Sequence, residues 1–105
     1  MVDKQREELV QDITKRLFRK LVVRGIPERM HAGIVAYVLY GQAPGGFLAA
    51  LLKNNLLDAF TFADAENKRI LERYSDMLVL DLPADCCGSE DAFRNWLARG
   101  GLVGK

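Results

Sequence analysis

Histidine occurs once in this chain, at His31, and cysteine only as the adjacent pair Cys86-Cys87. A metal centre draws on several His, Cys or acidic ligands at fixed spacing, so no metal is expected. Neighbouring cysteines close a bridge only through a strained ring, so two free thiols are expected, as in a reducing compartment. A His-dependent nucleophile would need His31 beside Ser75, Ser89, Cys86 or Cys87, and no G-x-S-x-G elbow is present. G-x-x-x-x-G-K-[ST] and G-x-G-x-x-G are missing too, so no nucleotide cofactor is expected. With so thin an acid–base inventory, the reading is of a protein without enzymatic activity.

Long apolar runs are also missing. None reaches the roughly 18–20 residues of a membrane span, and Asp3-Lys4-Gln5-Arg6-Glu7-Glu8 is charged where a secretory leader would be apolar. A cytoplasmic protein with no membrane partner is expected. Strand-like alternation is not convincing anywhere. Only Met77-Leu78-Val79-Leu80 reads as an alternative short strand, and it has no obvious pairing partner.

What the chain does have is half its 105 residues hydrophobic, enough for a core without staples. Apolar residues recur at three- and four-residue spacing, which predicts an all-α, single-domain bundle of about five to six helices over residues 1–105. In the first helix, opened by Asp3, the stripe is Val10, Ile13, Leu17 and Leu21, and Gly25 closes it. A second helix is predicted from Pro27 to Tyr40, with Met30, Ile34, Tyr37 and Val38 on one face and Gly41 ending it. A short apolar helix follows over Phe47–Asn54, then a turn or two over Leu56–Ala63. Asp64 caps a helix carrying Ile70, Leu71, Tyr74 and Leu78 through Leu80. Ser89 caps the last helix, with Phe93, Trp96 and Leu97 inward, ended by Gly100-Gly101. Tyr37, Tyr40, Phe47, Phe60, Phe62, Tyr74 and Trp96 read mostly as core.

The net charge of +1 conceals a division. Between Ile13 and His31 stand Lys15, Arg16, Arg19, Lys20, Arg24 and Arg29 against Glu28 alone. Asp64, Glu66, Glu72, Asp76, Asp81, Asp85, Glu90 and Asp91 then face only Lys68, Arg69 and Arg73. Such asymmetry marks an anionic partner, or complementary faces of one fold or of an oligomer. Arg16, Arg19, Lys20 and Arg24 fall along one side of the first helix and are the leading ligand-binding candidates, for an anionic small ligand, a host protein or nucleic acid. The plainer reading is a solvated face in which Asp12 pairs with Arg16 or Lys20.

The corner Gln42-Ala43-Pro44-Gly45-Gly46 is the strongest loop signal. Gly45 and Gly46 precede a helix whose free N–H groups suit phosphate, although a structural turn explains them as well. Tyr40, beside that corner, is the candidate for stacking on a ligand. Phe18 lies off the main stripe and reads as a partner or self-association anchor.

From Gly25 to Gly101 a pattern emerges: Gly25-Ile26-Pro27-Glu28-Arg29-Met30, Gly33-Ile34, Tyr37, Tyr40-Gly41 and Pro44-Gly45-Gly46-Phe47-Leu48. Asn55-Leu56, Ala63-Asp64, Asn67, Cys87-Gly88-Ser89 and Trp96 continue it. This pattern resembles a family of small phage- and prophage-encoded proteins with no assigned mechanism. The chain departs from it at Lys53-Asn54-Asn55-Leu56, where Ser-Asn-Asp-Leu is expected, and at Cys86-Cys87-Gly88-Ser89, where Cys-Trp-Gly-Ser is expected. The resemblance implies a phage setting; taken with the small size and the missing catalytic inventory, it leads to the expectation of an accessory binding role, such as an inhibitor or ligand sponge acting on a bacterial defence system. Nucleic-acid binding through the basic helix, and self-association through Phe18, are the alternatives. The basic helix, residues 1–24, lies outside the match.

Overall fold

The computed structural model describes residues 3–104, and all regular structure in them is helical. The order is α1 (Asp3–Val23), α2 (Glu28–Tyr40), α3 (Gly46–Leu52), α4 (Leu56–Phe62), α5 (Ala65–Arg69) and α6 (Leu71–Leu80). A 3-10 turn (Ala84–Cys86), α7 (Glu90–Arg99) and α8 (Gly101–Gly104) complete it. The all-α expectation holds. The count of five to six helices does not, because eight α-helices are present among the described residues.

Two features account for the extra helices. The stretch expected as one helix from Asp64 to Leu80 breaks at Ile70, whose φ of −117° and ψ of 23° leave the helical region. No proline or glycine marks the break. It is a tertiary effect: Asn67 is buried, and its Oδ1 accepts a hydrogen bond from the Tyr74 hydroxyl at 2.7 Å. The second extra helix is α8, where Gly100-Gly101 was expected to end regular structure. Both glycines take positive φ, and the chain then makes one more turn that lays Leu102 and Val103 on the core. Met77–Leu80 is the last turn of α6, not a strand.

The predicted stops and caps are mostly where the side chains demanded them. Ser89 Oγ accepts the Ala92 N–H at 3.0 Å, and Asp64 Oδ1 accepts the Asn67 N–H at 2.9 Å. Asn55 Oδ1 takes the Asp58 N–H at 3.1 Å to start α4, while Asn54 turns the corner at φ 62°. The cap expected of Asp3 falls on a side chain outside those described.

One apolar core runs from Leu17 and Leu21 of α1, through Ile34, Tyr37, Val38 and Leu39 of α2, to Phe93 and Trp96 of α7. Its polar atoms are satisfied internally. The Tyr37 hydroxyl donates to the Cys86 carbonyl at 2.6 Å, and Trp96 Nε1–H donates to the Tyr37 carbonyl at 2.9 Å. Tyr40, Phe60 and Phe62, expected mostly inside, are exposed. Phe60 and Phe62 belong to α4, which buries only Ala59 within its own length.

Candidate functional site

Helix α1 presents two flanks on either side of its buried stripe. One flank carries Arg16 and Lys20 over an apolar floor of Ile13, Leu17, Val38, Leu82, Pro83 and Leu102, in an open groove of about 310 Å³. The 3.6-residue period sets this: residues 13, 16, 17 and 20 share a side, and Leu17 turns into the core. Asp81, just beyond α6, forms the far wall.

The candidate cations divide in a way their sequence spacing does not show. Arg24 Nε donates to Asp81 Oδ2 at 2.7 Å, with both side chains largely covered. This hydrogen bond raises the arginine's pKa and fixes its charge to the fold. Arg24 is therefore a strut between the end of α1 and the end of α6. Arg16 pairs with Asp12 at 2.7 Å, and both are exposed, so that pair is weak and screened by salt. Lys20 joins no ion pair among the described residues. Arg19 is exposed but is not among the groove-lining residues. The groove thus offers Lys20 first and Arg16 second.

Gly45 and Gly46 line a different cleft, of about 240 Å³, together with Arg29, Met30, Phe62, Asp64 and Asn67. Arg29 would be its cation, but its Nη2 contacts both Asp64 Oδ2 at 2.7 Å and Glu66 Oε1 at 2.9 Å. The carboxyl of Asp64 is held below its ordinary value, first by the Asn67 N–H and then by Arg29. Two carboxylates against one guanidinium leave no surplus positive charge for a phosphate. Gly46 lies beside the Phe62 ring, where an added Cβ would make only ordinary contact. Tyr40, expected beside this corner, faces the N-terminal half of α1 instead, in a groove with Arg6, Glu7, Val10, Gln11 and Val103.

Phe18 lies on the other flank of α1, its ring 5.8 Å from that of His31, in a broad groove with Val22, Ile26 and Ala32. His31 itself is buried, and its Nε2–H donates to the Ile26 carbonyl at 2.7 Å. Its ring serves the α1–α2 corner. The thiols have other surroundings: Cys87 Sγ lies 3.8 Å from the Leu78 carbonyl, and Cys86 is fully buried. The two are unbridged. The interaction with the Cys87 thiol, and then burial, push the Cys86 thiol up, while the same interaction holds Cys87 below the ordinary thiol value against the opposing effect of its own burial.

Sequence reasoning missed Asp81. Nothing in its neighbourhood distinguishes it from the seven other acids between Asp64 and Asp91, and only the fold brings it to Arg24. It also missed the apolar floor supplied by Val38, Leu82 and Leu102, three residues far apart in the chain. Among the described residues no helix is long and apolar enough to cross a membrane. Compared with family models, with curated proteins and with solved structures, the chain matches none.

Proposed function

We propose that this chain is a non-enzymatic binding protein that captures an anionic group carried on an apolar body. The observation behind this reading is the groove beside α1, where Lys20 joins no ion pair among the described residues and Arg16 only an exposed one, above an aliphatic floor. An ammonium and a guanidinium hold a carboxylate or phosphate, and the floor holds what it is attached to. The resemblance to small phage-encoded proteins supports a target in the host, either an anionic small ligand or an acidic segment of a defence protein. Mass action is then enough for activity, since a stoichiometric binder needs no turnover.

The test is native mass spectrometry of protein purified from cells, with a pull-down from the same lysate. A bound small molecule or a stable protein partner, lost in Arg16→Glu/Lys20→Glu, is the expected result. Wild-type protein that carries neither removes the reading.

A second reading, nucleic-acid binding, is favoured by the run Lys15, Arg16, Arg19 and Lys20, all exposed on α1. It predicts binding to DNA or RNA that weakens steeply with salt, as counterions are released. Affinity insensitive to salt, or no binding, excludes it.

A further inference from the structure

The outer face of α1 and the outer face of α6 carry the same spacing with opposite charge. On α1, Lys15, Arg19, Val22 and Val23 stand at positions i, i+4, i+7 and i+8; on α6, Glu72, Asp76, Val79 and Leu80 stand at the same intervals. All eight side chains are exposed. The four aliphatic ones are unusually so, Val22 at 66%, Val23 at 78%, Val79 at 79% and Leu80 at 62%. Single exposed aliphatics are ordinary, but two adjacent pairs in one register are not. None of Lys15, Arg19, Glu72 and Asp76 joins an ion pair among the described residues.

We infer that α1 of one copy packs in parallel against α6 of a second copy, pairing Lys15 with Glu72, Arg19 with Asp76, and Val22 and Val23 with Val79 and Leu80. Both helices rise about 1.5 Å per residue, so one matched pair brings the others level. Residues at i, i+4, i+7 and i+8 share one helical face, which makes each set a continuous stripe. The antiparallel alternative keeps Arg19 on Asp76 but sets Lys15 against Leu80 and Val23 against Glu72, so only one of the matched pairs survives. Charge complementarity also excludes α1 on α1 and α6 on α6 at this register, since each would oppose like charges. A chain does not satisfy the two stripes by itself. Each lies opposite its helix's buried side, which is Leu17 and Leu21 on α1 and Tyr74 and Met77 on α6. Two different faces in contact make a heterologous, head-to-tail interface.

This inference is independent of the groove beside Lys20, and its test reads mass, not ligand. Light scattering on wild-type protein is expected to give more than the 11.8 kDa of one chain, rising with concentration. Lys15→Glu/Arg19→Glu and Glu72→Lys/Asp76→Lys, each turning attractive pairs into repulsive ones, are expected to weaken association at least about tenfold and give monomers. All the altered residues are exposed, so circular dichroism should match wild type. Mixing the two variants in equal amounts restores complementary faces at every contact and is expected to recover the wild-type mass. Wild-type protein that stays at one chain's mass at high concentration overturns the inference. So does either variant keeping the wild-type mass, or a mixture that remains monomeric.

Discussion

Where α2 runs into α7 and α8, backbone lies on backbone; where α4 leans on α3, Ala59 is the one residue of α4 that is buried, and Phe62 lies beside Gly46 while staying exposed. The first junction is built from Gly41, Gly100 and Gly101, all with positive φ. A Cβ on Gly101 would sit 2.5 Å from the Leu39 carbonyl carbon and 2.6 Å from the Gly41 nitrogen. Above it Trp96 and Tyr37 are joined by a buried hydrogen bond. The second region leaves Leu56, Leu57, Phe60 and Phe62 exposed. The contrast shows where the fold resists change and where it leaves surface free.

The largest effect is expected at the glycine junction. Gly101→Ala adds a methyl where the backbone of α2 already stands and demands a left-handed conformation of a β-carbon residue. Overpacking and backbone strain each cost about 1–3 kcal/mol, so a loss of about 3 kcal/mol or more is expected by denaturant unfolding. A variant within 1 kcal/mol of wild type would show that the close approach is not built as described.

Next comes Tyr37→Phe. It leaves the ring in place but removes the O–H that reaches the Cys86 carbonyl at 2.6 Å. A buried acceptor without its donor costs about 1–3 kcal/mol. The same experiment on Tyr40, whose side chain is exposed, should cost under about 0.5 kcal/mol.

Alkaline pH sharpens the comparison through the same residue. Burial pushes the phenols of Tyr37 and Tyr74 well above the ordinary tyrosine value. The folded state therefore keeps protons that the unfolded state gives up near pH 10, so their contribution to stability is whole below that pH and is lost as pH rises above it. Unfolding curves should fall as pH rises beyond about 10, less steeply in Tyr37→Phe than in wild type. A curve flat through that range would contradict the burial of the two phenols.

How far the sequence disclosed these regions follows from the range of the forces involved. Caps at Asp64 and Ser89 and the stop at Gly41 were legible, because each is decided within four residues. The all-helical class was legible for the same reason, summed along the chain. The break at Ile70 was not, since it depends on Asn67 finding Tyr74 in a buried setting rather than on a helix-breaking residue. Nor was the separation of Arg24 from Arg16 and Lys20. All three share a helical side, and only the folded position of Asp81, 57 residues beyond Arg24, removes one of them. Aromatic residues read mostly as core by their spacing, and α4 shows where that reading fails. Ala59 is the one buried residue of this seven-residue helix, with Leu57 on the opposite side, and even Leu56, which shares the Ala59 face, stays exposed.

The smallest effect should therefore come from α4. Leu57 is 78% exposed, so Leu57→Ser removes little area that folding had taken from water. The expected change in stability is within about 0.5 kcal/mol, read by the same denaturant curves as Gly101→Ala. Solubility is the more sensitive readout, because an exposed apolar patch favours association whether or not it stabilises the monomer. A loss above about 2 kcal/mol would mean that Leu57 is covered in solution. Light scattering then separates the two ways of covering it. A wild-type mass above that of one chain, abolished by Leu57→Ser but untouched by Lys15→Glu/Arg19→Glu, would place self-association on α4 and not on the α1 and α6 stripes. Stability unchanged and mass unchanged would leave α4 as the free surface that its packing describes.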